Sequence, residues 1–202
     1  MARIVWKPGK LVNLKLRDDL YSIGQMEEHS IMRFFDIYNH DGVWENIDLN
    51  EIKELFRVFV VGDVNRVLGV GRIKASSVVA SQKPLSMYWI RFYNRLDYGH
   101  YKGDTDSFPF LGGKLIRTRN VQEAPTHAEV IKHDLSVVED KAIIEKYELT
   151  NMWGDKDLGD RLRRYFDTGI DRDDLKFEVF PGLWNDREKL RPLTRRLPIP
   201  MR

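Results

Sequence analysis

Asp171, Asp173 and Asp174 fall within four residues just past Gly169. Carboxylates clustered in a loop can offer a negative surface to a basic partner, and loops carry binding residues disproportionately. A second reading, that they solubilise the loop or pair with Arg172, stays open beside it. No reaction centre assembles elsewhere. The histidines are His29, His40, His100, His127 and His133, and none belongs to a His-Glu-x-x-His pattern. His127 and His133 flank Glu129 without forming a short metal-ligand cluster. Gly69-Val-Gly71 lacks the third glycine of a dinucleotide fingerprint and the Gly-Lys-Ser/Thr ending of a phosphate loop. There is no Gly-x-Ser-x-Gly elbow, and with no cysteine a thiol nucleophile is impossible. Asp97, Asp104 and Asp106, near Tyr98 and His100, are the one polar loop in which an enzyme could hide. The expectation is a binding protein with no catalytic residue, no metal and no cofactor.

Two further clusters bear on the choice of partner. Trp89, Arg91, Phe92, Tyr93 and Arg95 interleave bases with aromatics, a composition with which a sheet face can stack nucleobases. A β-barrel nucleic-acid-binding module is therefore the alternative function. Against it, the alternation puts Trp89, Arg91 and Tyr93 on one face and leaves Ile90 and Phe92 to fill a core. The formal net charge of +2 argues for neither. Its distribution says more, because residues 119–178 carry 15 carboxylates against 10 basic side chains. Residues 179–202 then carry 6 basic side chains against 2 acidic ones. An acidic surface for a basic partner and a self-paired solvated face are both open readings of the acidic block. The Arg-rich tail is short and proline-broken, so no direct contact with nucleic acid is expected.

The elements that must position these residues divide near 118. Pro8-Gly9 opens a run in which Val12, Leu14 and Leu16 alternate with Asn13, Lys15 and Arg17, the period of a half-buried strand. Asp18-Asp19 is placed to turn a hairpin, and Gly24 marks a bulge or a close backbone approach. Ile31–Tyr38 reads as a third strand, closed by the turn Asn39-His-Asp-Gly42. Asp48-Leu-Asn-Glu51 has the form of a capping box, followed by a short helical stripe of Ile52, Leu55 and Phe56. Strands are expected at Val58–Val61 and Met87–Tyr93, and a hairpin at Gly112-Gly113 between Phe108–Leu111 and Lys114–Thr118. Beyond 118 a helix is expected over Glu139–Leu149. A stronger one spans Asp155–Thr168, with Leu158, Leu162, Tyr165 and Phe166 on one apolar face. Its Asp157–Arg161 and Asp160–Arg164 pairs read as surface ion pairs, and Gly169 as its stop. Leu175–Val179 alternates as a strand that Pro181-Gly182 ends. The fold class is α+β: a twisted, partly closed antiparallel sheet over 1–118, then a helical lobe over 119–202 with a further strand. The two are expected to form one compact unit, with a basic, proline-containing tail packed through Leu183, Trp184 and Leu190.

The start of the chain resembles the immunity protein 26 family. The resemblance runs over residues 6–75: Pro8-Gly9, the alternating strand to Leu16, a turn into Tyr21-Ser-Ile-Gly24-Gln-Met, and Phe35-Asp-Ile-Tyr38. It implies an immunity protein of bacterial contact-dependent growth inhibition or related polymorphic toxin systems. Such a protein binds and neutralises one cognate toxin C-terminal domain, often a nuclease, and turns over no substrate. Nuclease toxins are commonly basic because their substrate is a polyanion, so an acidic face on the inhibitor would speed encounter. Asp171, Asp173 and Asp174 are the expected toxin contacts. The first residues, Met-Ala-Arg-Ile-Val-Trp, do not form a signal peptide, and no apolar run approaches the roughly 20 residues of a membrane span. With no cysteine to oxidise, a cytoplasmic location is expected.

Overall fold

The computed structural model describes residues 4–93 and 112–190, and the protein is a mixed α+β fold. In chain order the strands are β1 Leu11–Arg17, β2 Leu20–Met26, β3 Ile31–Asn39, β4 Ile47–Asp48, β5 Glu54–Val60, β6 Gly69–Arg72 and β7 Val78–Val79. Next come β8 Tyr88–Phe92, β9 Gly113–Arg117, β10 Glu129–Lys132, helix α1 Lys141–Lys146 and β11 Met152–Trp153. The chain continues into α2 Asp155–Thr168, α3 Asp174–Val179 and α4 Arg187–Leu190. Contacts group the described residues of 1–85 and 151–170 into one unit, and those of 86–150 and 171–202 into another. This grouping differs from a division at 118, because residues 86–118 belong with the second unit and residues 151–170 with the N-terminal sheet.

The first unit is a curled six-stranded sheet, a half-barrel, in the order β11-β5-β3-β2-β1-β6. Its hairpin forms as the alternation requires. Val12, Leu14 and Leu16 are buried, Asp18-Asp19 makes the turn, and Leu11 pairs with Gln25. Gly24 meets both expectations. The β2–β3 register shifts between Ser22 and Gly24, and a Cβ at Gly24 would stand 2.7 Å from Met32 Sδ. Only glycine fits there without moving Met32. One face of the sheet buries Val12, Leu14, Met32, Phe34, Phe56 and Val58 against Leu158 and Leu162 of α2. The other buries Leu11, Ile23, Phe35, Trp44, Leu49 and Val78. A sheet covered on both sides has nearly continuous burial along its inner strands, as β2 does.

Three expectations are corrected. No helix follows Asp48. The Asp48 carboxylate accepts from the Asn50 N–H at 2.8 Å in a tight turn, and Glu54–Val60 extends as β5. The alternating burial of Phe56, Val58 and Val60 outruns the short helical stripe. Leu175–Val179 lies within helix α3, not in a strand, so the further strands beyond 118 are β10 and β11. In α3, Leu175 and Val179 stand one helical turn apart and join the same core as Phe180. Helix α2 forms with the expected bounds and stops at Gly169 in the left-handed conformation, but its arginines are not on the surface. Arg161 and Arg164 are buried, and the Arg161 guanidinium lies 3.6 Å from the centroid of the Phe56 ring. Asp160 is itself buried and pairs with Arg163.

The second unit holds the sheet β10-β9-β8, all antiparallel, over a core of Ile90, Leu115, Ile144, Leu149, Leu175 and Val179. The helix expected at 139–149 is the shorter α1. The buried Asp140 ahead of it accepts from Lys132 Nζ at 2.6 Å and from the Ser136 N–H at 3.0 Å. Those donors hold its carboxyl below the usual range. Leu183 and Leu190 are buried and Trp184 packs on this core, as expected of the tail's start. Phe108–Leu111, Asp97, Tyr98, His100, Asp104, Asp106 and the tail beyond 190 lie outside the described residues.

Candidate functional site

At the end of the first sheet where β1 turns into β2 and β3 ends, aromatic and charged side chains gather from four places in the sequence. Tyr38, near the end of β3, is 48% exposed. Its ring centroid lies 5.2 Å from that of Phe166 on α2 and 5.7 Å from that of His40, which meets it edge-on. Tyr165 packs edge-on against Phe166 at 5.4 Å. These separations are those of favourable aromatic pairs. Around the rings, Arg17 donates to Asp167 at 2.7 Å and to Asp19 at 2.8 Å. The hydrogen bond to Asp167, then that to Asp19, pushes the Arg17 guanidinium further above its usual range. The bond from Arg17 in turn holds the Asp19 carboxyl low, so both stay charged at neutral pH. His40 Nδ1 donates to the Asp19 carbonyl oxygen at 2.7 Å. Asp18, paired with Lys15 at 2.9 Å, is fully exposed at the hairpin tip.

The loop beside this patch is held in one shape. The Gly42 N–H donates to Asn39 Oδ1 at 2.8 Å, the Val43 N–H to Asp41 Oδ1 at 2.9 Å, and Asn39 Nδ2 to the Val43 carbonyl at 2.6 Å. Asn13 of β1 ties it to the sheet by donating to the Gly42 carbonyl at 2.8 Å and accepting from Trp44 Nε1 at 3.0 Å. Gly42 has φ +72°, and a Cβ there would stand 2.8 Å from the Tyr21 ring. A loop fixed in advance loses little conformational entropy on binding. Asp167 follows Phe166, Arg17 ties it to Asp19, and Asp41 follows His40, so the elements that carry the Tyr38–Phe166 pair bring more carboxylates than cations beside an aromatic contact.

The acidic cluster is not built as expected. Asp173 is 1% exposed, and its carboxylate accepts from the Leu175 N–H at 2.9 Å as the cap of α3. Asp171 and Asp174 are half-buried, and Arg172 turns to Asp186 at 3.3 Å and the Trp184 ring at 4.7 Å. The three carboxylates are therefore not free together to face a partner. Asp173→Ala is expected to lower stability by about 1 kcal/mol, the usual value of such a cap. Urea denaturation of the parent, Asp173→Ala and Asp173→Asn, with the Asn variant the more stable of the two, is the check. Glu129, between His127 and His133, pairs with Arg117 at 2.6 Å. Among the described residues no three metal-ligating side chains cluster. The sequence reading missed Tyr38 and His40 as site residues, and read Tyr165 and Phe166 only as core. The available signal was Phe35-Asp-Ile-Tyr38 itself, whose Tyr ends a strand next to a polar turn.

A family model for a domain of unknown function, DUF8309, matches residues 1–185. The chain belongs to the DUF8309 family. No curated protein and no solved structure is significantly similar to it. No helix among the described residues is long and apolar enough to cross a membrane.

Proposed function

We propose that this member of the DUF8309 family is a cytoplasmic immunity protein that binds and neutralises a cognate bacterial toxin domain, a nuclease of a contact-dependent growth inhibition or related polymorphic toxin system. The observation that carries the reading is the contact of Tyr38 with Phe166, on elements that bring more carboxylates than cations. The likeness of residues 6–75 to the immunity protein 26 family names the class of partner. Exposed tyrosine with flanking charge is the composition of interface hot spots, and carboxylates around it suit the basic substrate groove of a nuclease. Preorganisation of the loop 39–44 adds affinity without added area. The work of such a protein is occlusion, so no residue of it acts on a substrate.

The test pairs the protein with the C-terminal domain of a toxin encoded beside its gene. Tyr38→Ala is expected to weaken association by about 30-fold or more, the loss typical of a hot spot worth about 2 kcal/mol. Asp18→Asn, Asp19→Asn and Asp41→Asn together are expected to slow association and flatten its salt dependence. Association that is unchanged in both variants at every salt concentration would reject this surface. Absence of any association, or of protection in cells expressing the toxin, would reject the function.

A further inference from the structure

In the second unit, β8 and β9 place Arg91 directly opposite Lys114. Like charges on paired antiparallel positions repel and weaken the sheet. Elsewhere the chain neutralises such pairs. Arg33 faces Arg57 across β3 and β5, and Glu54 lies 3.5 Å from the first guanidinium and 3.8 Å from the second. Within the second unit, Arg117 has Glu129 at 2.6 Å, Lys132 has Asp140 at 2.6 Å and Arg119 has Glu123 at 2.7 Å. Arg91 and Lys114 form no ion pair with any carboxylate among the described residues. Arg91 donates to the Thr126 carbonyl at 3.2 Å, and Lys114 Nζ stands 5.6 Å from the Tyr93 ring centroid. Tyr93 follows Arg91 by two residues on the same face, where its hydroxyl accepts from the Asp134 N–H at 3.3 Å.

We propose that Arg91 and Lys114 form an anion site whose ligand is the phosphate backbone of a single-stranded nucleic acid, with Tyr93 as the flanking aromatic surface. A guanidinium fork beside an ammonium matches a phosphate, whose charge also relieves the repulsion between the two cations. The neighbouring ring favours a nucleic-acid strand over an acidic polypeptide, because bases stack on aromatics where carboxylate side chains gain nothing. Trp89, which the sequence groups with Arg91 and Tyr93, is 3% exposed and takes no part. This site shares no residue with the patch around Tyr38 and does not depend on the inhibitor reading.

The experiment measures the anisotropy of a short labelled oligothymidylate titrated with the full chain at several salt concentrations. Arg91→Gln with Lys114→Gln is expected to weaken binding about tenfold or more at low salt. It should also lower the log–log salt slope by about 1.4, at roughly 0.7 per phosphate contact on a single strand. Arg117→Gln, which removes a cation already paired, should bind as the parent does. The double variant should melt no lower than the parent, since it relieves a repulsion. If it unfolds, Arg91→Lys with Lys114→Arg keeps both charges and must retain binding. No oligonucleotide binding by the parent, binding retained in the Gln variant, or equal displacement by polyglutamate would each overturn the proposal.

Discussion

Leu162→Ala is expected to destabilise the protein by about 2–5 kcal/mol, the range for truncating a fully buried leucine. Leu162 is 0% exposed and belongs to the core that Leu158 shares with Leu14, Leu16, Phe34, Phe56 and Val58 of the sheet. Helix α2 docks on the half-barrel through this stripe, so a cavity at its centre removes contacts from both layers at once. Phe166→Ala should cost less, because Phe166 is only partly buried against the same core. Urea denaturation followed by circular dichroism and tryptophan fluorescence measures both. A Leu162→Ala variant that unfolds with the parent would mean that α2 is not docked, which would also dissolve the contact of Phe166 with Tyr38.

The parts of this fold that were legible are those in which one periodicity persists long enough to exclude the other. The Leu11–Arg17 alternation, the Asp18-Asp19 turn and the bounds of α2 with its stop at Gly169 all fold as read. Asp48–Phe56 and Leu175–Val179 are too short for periodicity to decide. In each, an Asp side chain caps a local N–H, Asp48 in a turn and Asp173 on a helix, and the sequence does not distinguish the two. The burial of Arg161 was hidden for a different reason. An i, i+4 spacing to Asp157 describes a solvated pair equally well, and only the tertiary approach of Phe56 turns the guanidinium inward. The patch was hidden because Tyr38 and Phe166 are distant in sequence, and nothing local to either residue announces the other. The same holds for the return of 151–170 to the first sheet, which is made by the two-residue parallel strand β11 beside β5 and by the packing of Leu158 and Leu162 into the sheet's core.

Arg33→Ala is expected to cost about 3–5 kcal/mol, because it removes one member of a buried charge network and strands the rest. Arg33 is 2% exposed in the middle of β3, with Nε 3.2 Å from Glu27 and Nη1 3.5 Å from Glu54. Its other contacts run to the segment that follows β7: Nη1 donates to Ser81 Oγ at 3.1 Å and Nη2 to the Lys83 carbonyl at 2.9 Å. Gln25, the cross-strand neighbour of Arg33, completes the network by bonding both the carbonyl and the N–H of Ser81. Burial already pushes the Glu27 carboxyl above its usual range, and Arg33 followed by Gln25 works against that rise. Without Arg33 the carboxyl should rise further. The sign of the pH effect follows: a raised folded pKa means that the ionised carboxylate burdens the folded state above that pKa. The burden disappears as pH falls toward the unfolded value, about 4.3. The difference in stability between parent and variant should therefore be largest at neutral pH and shrink on acidification through that window. Replacing both partners, Arg33→Met with Glu27→Leu, should recover much of the loss at neutral pH, since a buried pair is seldom worth more than the apolar contacts that can replace it. Urea titrations at neutral pH and near the unfolded glutamate value separate these outcomes. A loss below about 1 kcal/mol, equal at both pH values, would show that the network is solvated and that the segment after β7 is held without it.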